Sequence, residues 1–109
     1  VQTCALPILQ SGEEAEDLAD TFNKMFSFEK KVGNSSVFSG TGFELMKKQG
    51  RGTHGHIAIA TNYIERAIYH LEKRGFEFDK DSAVIKNDRL KAIYFKGEFG
   101  GFAIHLVQK

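Results

Sequence analysis

The sequence has no Trp, a single Cys and no long apolar run. One Cys, Cys4, excludes an internal disulfide, and its isolation reads as a cytoplasmic chain held by packing alone. No stretch of 18 apolar residues is present, so no helix is expected to span a membrane. Charge of either sign is not in excess, with Lys+Arg 15 against Asp+Glu 14. That balance gives no electrostatic reason to expect nucleic acid or an acidic membrane as partner. What is present is ordinary for a folded domain: 109 residues, 41% hydrophobic and 27% charged, with ten Phe. A chain of this length buries ~65% of its unfolded surface, enough for one Phe-rich core but little more.

Val1 to Ile8 hold both the Cys and the only Pro. They lack the basic start and apolar stretch of a signal peptide. They resemble the translated sequencing-adapter peptide that contaminates some assembled genes. Segment 1–8 is therefore expected to be non-native, with the native chain starting upstream, or else to be a degenerate first strand.

Ser11-Gly12-Glu13-Glu14 reads as a capping box. Ala15, Leu18, Ala19, Phe22, Met25 and Phe26 follow at helical spacing, predicting a helix over 12–26. Strand-like runs are expected at 28–32, 35–39 and 43–47, with a turn at Gly40-Thr41-Gly42. A polar, Gly-bearing connection over 48–53 precedes an alternating strand at 54–60. Asn62 is expected to cap a second helix whose apolar stripe is Ile64, Ala67, Ile68 and Leu71, ended by Gly75. Strand-like runs at 76–78, 91–96 and 101–108 complete the chain. Residues 79–90 read as a charged loop.

The pattern repeats. Ser11 and Asn62 correspond, Phe26 and Phe28 recur as Phe76 and Phe78, and Phe43-Glu44-Leu45 recurs as Ile104-His105-Leu106. Such self-similarity outweighs any single motif as a fold signal. It predicts an α+β fold of two βαβββ modules, 9–53 and 54–109, with segment 1–8 in the place of the opening strand. The expected sheet is mixed and curved around a pocket.

Alternation assigns faces, because successive strand residues point to opposite sides. Phe43 and Leu45, Ile57 and Ile59, and Phe102, Ile104 and Leu106 are expected under the helices. Glu44, His56 and His105 are left for the opposite face, with Tyr94 and Ala92 beside them. Carboxylate and imidazole suit Zn, Mn, Fe or Ni. From spacing alone, a His on a strand is more often a hydrogen-bonded structural residue than a ligand. His54 is an alternative ligand at an exposed strand start, and His70 lies on the solvent side of its helix. The turn Gly33-Asn34-Ser35-Ser36 is either a ligand-contacting loop or a plain polar turn. Gly50-Arg51-Gly52 is not a phosphate loop, since no helix start follows it at the needed spacing. Tyr94 either orients a substrate or packs.

GHIAIATNYIERAIYHLEKRGFEF and GGFAIHLVQK, in that repeated element order, resemble the vicinal oxygen chelate superfamily of glyoxalases, extradiol dioxygenases and bleomycin-resistance proteins. Members place metal ligands on the first and last strands of each module. The resemblance implies a divalent metal (Zn, Mn, Fe or Ni) on Glu44, His56 and His105. It also implies a small oxo- or hydroxy-acid as substrate, its carbonyl polarised by the metal. His105 departs from the commoner Glu. A fourth ligand is expected on the first strand, where Ala5 stands near the position matching His56 and cannot ligate. With VGNSSVFSGTGFELMK and LKAIYFKGEFGGFAIHLVQK added, residues 11–109 resemble the C-terminal domain of bifunctional 2-keto-4-hydroxyglutarate / 2-keto-3-deoxy-6-phosphogluconate aldolases of Firmicutes. Their Schiff-base lysine lies in an upstream barrel, so no Lys here takes that role. The competing readings are a non-catalytic ligand-binding or oligomerisation module of such an aldolase, with a homodimer in view, and a ferredoxin-like nucleic-acid binder, which the charge balance disfavours.

Overall fold

The computed structural model describes residues 2–109; Val1, the first residue of segment 1–8, lies outside the described residues. The elements are β1 (Gln2–Pro7), α1 (Gly12–Phe26), β2 (Lys30–Val32), β3 (Ser36–Ser39), β4 (Phe43–Met46), β5 (Gly55–Thr61), α2 (Ile64–Lys73), β6 (Phe78–Lys86), β7 (Arg89–Phe95) and β8 (Phe102–Gln108). The fold is α+β, and the order βαβββ occurs twice. All eight strands form one mixed, open sheet in the order β2-β3-β4-β1-β5-β8-β7-β6. The two opening strands meet antiparallel at its centre, and each pairs parallel with the last strand of its own module.

Helix α1 starts as its sequence dictates. Ser11 Oγ accepts from Glu14 N at 3.1 Å, while the Glu14 carboxylate reaches back to Gln10 N at 3.4 Å. Each contact satisfies a donor the first turn would otherwise leave free. Ala15 and Ala19 let the helix sit close on Val37 and Leu45, with Leu9, Leu18, Phe22 and Phe43 around them. Helix α2 covers the second module, where Ile64, Phe78, Ile93 and Leu106 form the core and Ile59, Ala67, Ile68 and Leu71 pack against it. Burying one such aliphatic side chain stabilises the fold by roughly 1.5–3 kcal/mol. Both helices lie on the face holding Leu45 and Leu106, as the alternation predicts.

Three expectations are corrected. Residues 79–90 are not a loop: β6 and β7 make a long antiparallel hairpin. Its two-residue turn, Asn87-Asp88, has φ of 53° and 62°, the left-handed pair that matches the strands' twist. Irregular register between Asp79 and Ile85 and exposure of the outer strand erase the alternation that would have marked it. The second helix is not capped by Asn62. Its N-cap is Tyr63 without a side-chain cap bond, and the free N–H of Ile64 is taken by Gln108 Oε1 at 2.9 Å, from the far end of β8. Finally, the strand expected at 28–32 is confined to Lys30–Val32, because Asn23 Nδ2 takes the Phe28 carbonyl at 2.9 Å and the Phe28 ring packs 5.3 Å from Phe26.

Candidate functional site

On the face opposite the helices, His56, His105 and Tyr94 come together. The ladder sets Ala58 beside His105 and Tyr94 beside His105, while His56 sits one pair along on the same face. The His56 and His105 rings meet edge to face with centroids 5.4 Å apart. Tyr94 stacks on His105 at 4.5 Å with planes 23° apart and lies 6.0 Å from His56. His56 is only 9% exposed. Among the described residues, its Nδ1 and the Nε2 of His105 are buried without a hydrogen-bond partner. Two orphaned ring nitrogens in one cluster need an explanation, since buried polar atoms are normally paired.

The environment keeps both imidazoles neutral. Burial pushes the His105 pKa down to about 4, and the neighbouring His56 and Arg51 add to the depression. Burial also lowers His56, opposed by the Arg51 backbone and the Glu44 carboxylate and aided by the Arg51 guanidinium. Burial raises the Tyr94 phenol, against the pull of Arg51. A neutral imidazole with a free nitrogen is the form that ligates metal or accepts a proton.

Glu44 stands further off. Ala5 pairs with Phe43 in β4 and Leu6 with His56 in β5, so β1 with its Leu6 lies between Glu44 and His56. Two strand spacings make this a backbone separation of ~10 Å. The Glu44 carboxylate accepts from Ser36 Oγ at 2.7 Å. Among the described residues, no group of three or more His, Cys, Asp or Glu side chains is arranged to hold a metal ion. His54, the alternative ligand, is exposed and packs 5.9 Å from Phe102 instead. His70 is exposed on α2.

The registers revise one detail. Ala5 pairs with Phe43 and Ile57 with Ile104, so the residue matching His56 in the first module is Cys4 rather than Ala5. Cys4 is partly buried, and burial followed by the Glu44 charge raises its pKa.

Arg51 carries no role in the sequence reading, yet its guanidinium carbon lies 4.3 Å above the centre of the Tyr94 ring. The module connection holds it there. Gly52 has φ +84°, and a Cβ on it would sit 1.8 Å from the Gly55 carbonyl oxygen. Gly55 has φ +128°, where a Cβ would fall 2.2 Å from the Leu6 oxygen. Only glycine fits such an approach, and the pinned linker delivers Arg51 to Tyr94 and His56 to the start of β5. The flanking glycines of Gly50-Arg51-Gly52 were the available signal. Ser36, in the polar turn singled out above, proves to be the partner of Glu44.

No family model and no curated protein matches the chain. Among solved structures, the chain is similar to a crystal structure of a member of the glyoxalase/bleomycin resistance protein/dioxygenase superfamily from Sphaerobacter thermophilus, with 20% sequence identity and a TM-score of 0.41 over 100% of this chain and 97% of that one.

Proposed function

We propose that the chain is a glyoxalase-like vicinal-oxygen-chelate domain that binds a divalent metal and a small oxo- or hydroxy-acid on the face bearing His56 and His105. The observation that carries this reading is the pair of partnerless buried nitrogens, His56 Nδ1 and His105 Nε2, on rings 5.4 Å apart. Both rings stay neutral, as ligands must. Glu44 is the third ligand of the proposal, and reaching the imidazoles requires it to leave Ser36. A bound divalent ion supplies Lewis-acid polarisation of a substrate oxygen. The chain's own residues do the rest: Tyr94 stacks flat on His105 and fixes its orientation, and the apolar neighbours Leu6, Ala58 and Ala103 restrict water around the rings.

In this proposal the domain is the C-terminal module of a bifunctional keto-hydroxyglutarate/keto-deoxy-phosphogluconate aldolase, whose barrel would lie upstream. The second reading, a non-catalytic ligand-binding or oligomerisation module of the same aldolase, is favoured by one specific feature, the Glu44 carboxylate already engaged by Ser36 of the adjacent β3, on the side of β4 away from the imidazoles. Metal content of the purified protein after exposure to Zn, Mn, Fe or Ni and dialysis decides between them. The proposal expects about one ion per chain, lost in Glu44→Ala and in His56→Ala. Metal content unchanged by both substitutions rules out this metal site, and no uptake by the parent protein leaves the non-catalytic reading.

A further inference from the structure

We infer that Arg51 is the substrate-anchoring residue of this face, and that it selects ligands bearing a carboxylate next to their vicinal oxygens; the inference rests on the reading of the His56–His105 cluster as a ligand site. Three features carry it. First, position: the guanidinium carbon lies 4.3 Å from the centre of the Tyr94 ring, which itself stacks on His105, so this cation stands one ring away from the two partnerless nitrogens.

Second, valence. A guanidinium has five N–H donors, and stacking on an aromatic face occupies none of them, because they lie in its plane. Among the described residues its side chain makes one hydrogen bond, from Nη1 to Asp79 Oδ2 at 3.5 Å. Both partners of that contact are partly exposed, Arg51 at 47% and Asp79 at 34%. Long, solvated pairs of this kind are weak, so a planar carboxylate that accepts two parallel N–H bonds displaces Asp79 readily. Third, rigidity: Gly52 cannot be replaced in its backbone conformation, and Gln49 Nε2 donates to the Gly52 oxygen at 3.1 Å, so the anchor is held before the ligand arrives. Pre-organisation lowers the ordering cost of binding.

The geometry orders the ligand. Its carboxylate meets the Arg51 fork, and its adjacent oxo or hydroxyl oxygen falls toward His105 and His56. Asp79 is the built-in competitor, so removing its charge has the opposite effect from removing Arg51.

Titration of the protein with pyruvate, a charged 2-oxo acid, and with hydroxyacetone, an uncharged analogue with vicinal oxygens, tests this. Ring signals of Tyr94, His56 and His105 in NMR spectra report binding. The expected result is pyruvate binding at the rings, weakened at least tenfold in Arg51→Gln and partly restored in Arg51→Lys. Asp79→Asn is expected to tighten it about twofold, with hydroxyacetone binding unaltered by any of the three. Pyruvate binding that perturbs the same rings equally in Arg51→Gln overturns the anchor and leaves the ligand site standing. Failure of both compounds to perturb the rings of the parent protein overturns the ligand site and the anchor together.

Discussion

Replacing Gln108 with Ala is the sharpest stability test of the fold. Gln108 Oε1 accepts from the backbone N–H of Ile64 at 2.9 Å, and Gln108 Nε2 donates to the carbonyls of Asn62 and, at 3.2 Å, Lys109. Helix α2 has no side-chain cap of its own, and Ile64, only 3% exposed, belongs to the core of the second module. Truncation therefore strips the first helical turn of its borrowed acceptor. An unsatisfied buried donor costs about 1–3 kcal/mol, and loss of an N-cap typically ~1 kcal/mol. Because solvent reaches this end of the helix, about 1–2 kcal/mol is expected. For a domain of this size that lowers Tm by roughly 5–12 °C. Thermal melts followed by circular dichroism, beside an Asn62→Ala control, measure it. Asn62 contributes only its carbonyl, which Ala retains, so the control is expected to stay within about 0.5 kcal/mol of the parent. A costly Asn62→Ala with a neutral Gln108→Ala would mean that the helix is capped locally, as its sequence first reads, and the cap supplied by β8 would be refuted.

Other outcomes follow from the linker and the rings. Gly52→Ala drives a Cβ to 1.8 Å from the Gly55 oxygen and 2.7 Å from the Ala103 nitrogen, so urea denaturation is expected to show a loss of about 2–4 kcal/mol. Gly50→Ala meets nothing within 4 Å and is expected to cost under ~1 kcal/mol; equal losses at both positions would contradict the pinned linker. In metal-free protein, His105 has a folded pKa of about 4 against an ordinary 6.5. Above pH 6.5 both folded and unfolded chains hold it neutral. Between pH 6.5 and 4 the unfolded chain takes up the proton first, so stability falls as the pH falls through that window. The unscreened ceiling is about 3.4 kcal/mol, and solvent at the open face reduces it to ~1–2 kcal/mol. Parent and His105→Leu urea midpoints compared across pH 7 to 4 measure the effect, and parallel curves would count against the buried, neutral imidazole.

Helix α1 and the faces of β5 and β8 were legible because local and tertiary signals coincide there. Ser11 and Glu14 mark the helix start, and Ile57/Ile59 and Ile104/Leu106 alternate cleanly with His56/His105. That alternation alone predicts that the two imidazoles share a face. The β6–β7 hairpin was hidden because its outer strand is exposed and irregular in register, so Asp79, Lys80 and Asp81 look like loop residues. Asn87-Asp88 was its readable signature. The cap on α2 was invisible in principle, since Gln108 lies 44 residues from Ile64 and only pairing of β8 with β5 brings them together. Arg51 was missed for a related reason. A residue in a polar connection acquires its meaning from what the glycine-pinned chain places beneath it, here Tyr94. The distance of Glu44 from the imidazoles depends on β1 entering between β4 and β5, with Leu6 in the row, which face assignment cannot express.

The central claim is that His56 and His105 present two free ring nitrogens to one site. Long-range nitrogen–proton NMR of the imidazoles at neutral pH, before and after one equivalent of Zn²⁺, addresses it most directly. The account predicts two neutral rings whose unprotonated nitrogens, one on each histidine, shift together on addition of the ion. Protonated rings at neutral pH, or a shift confined to exposed His54 and His70, would contradict it.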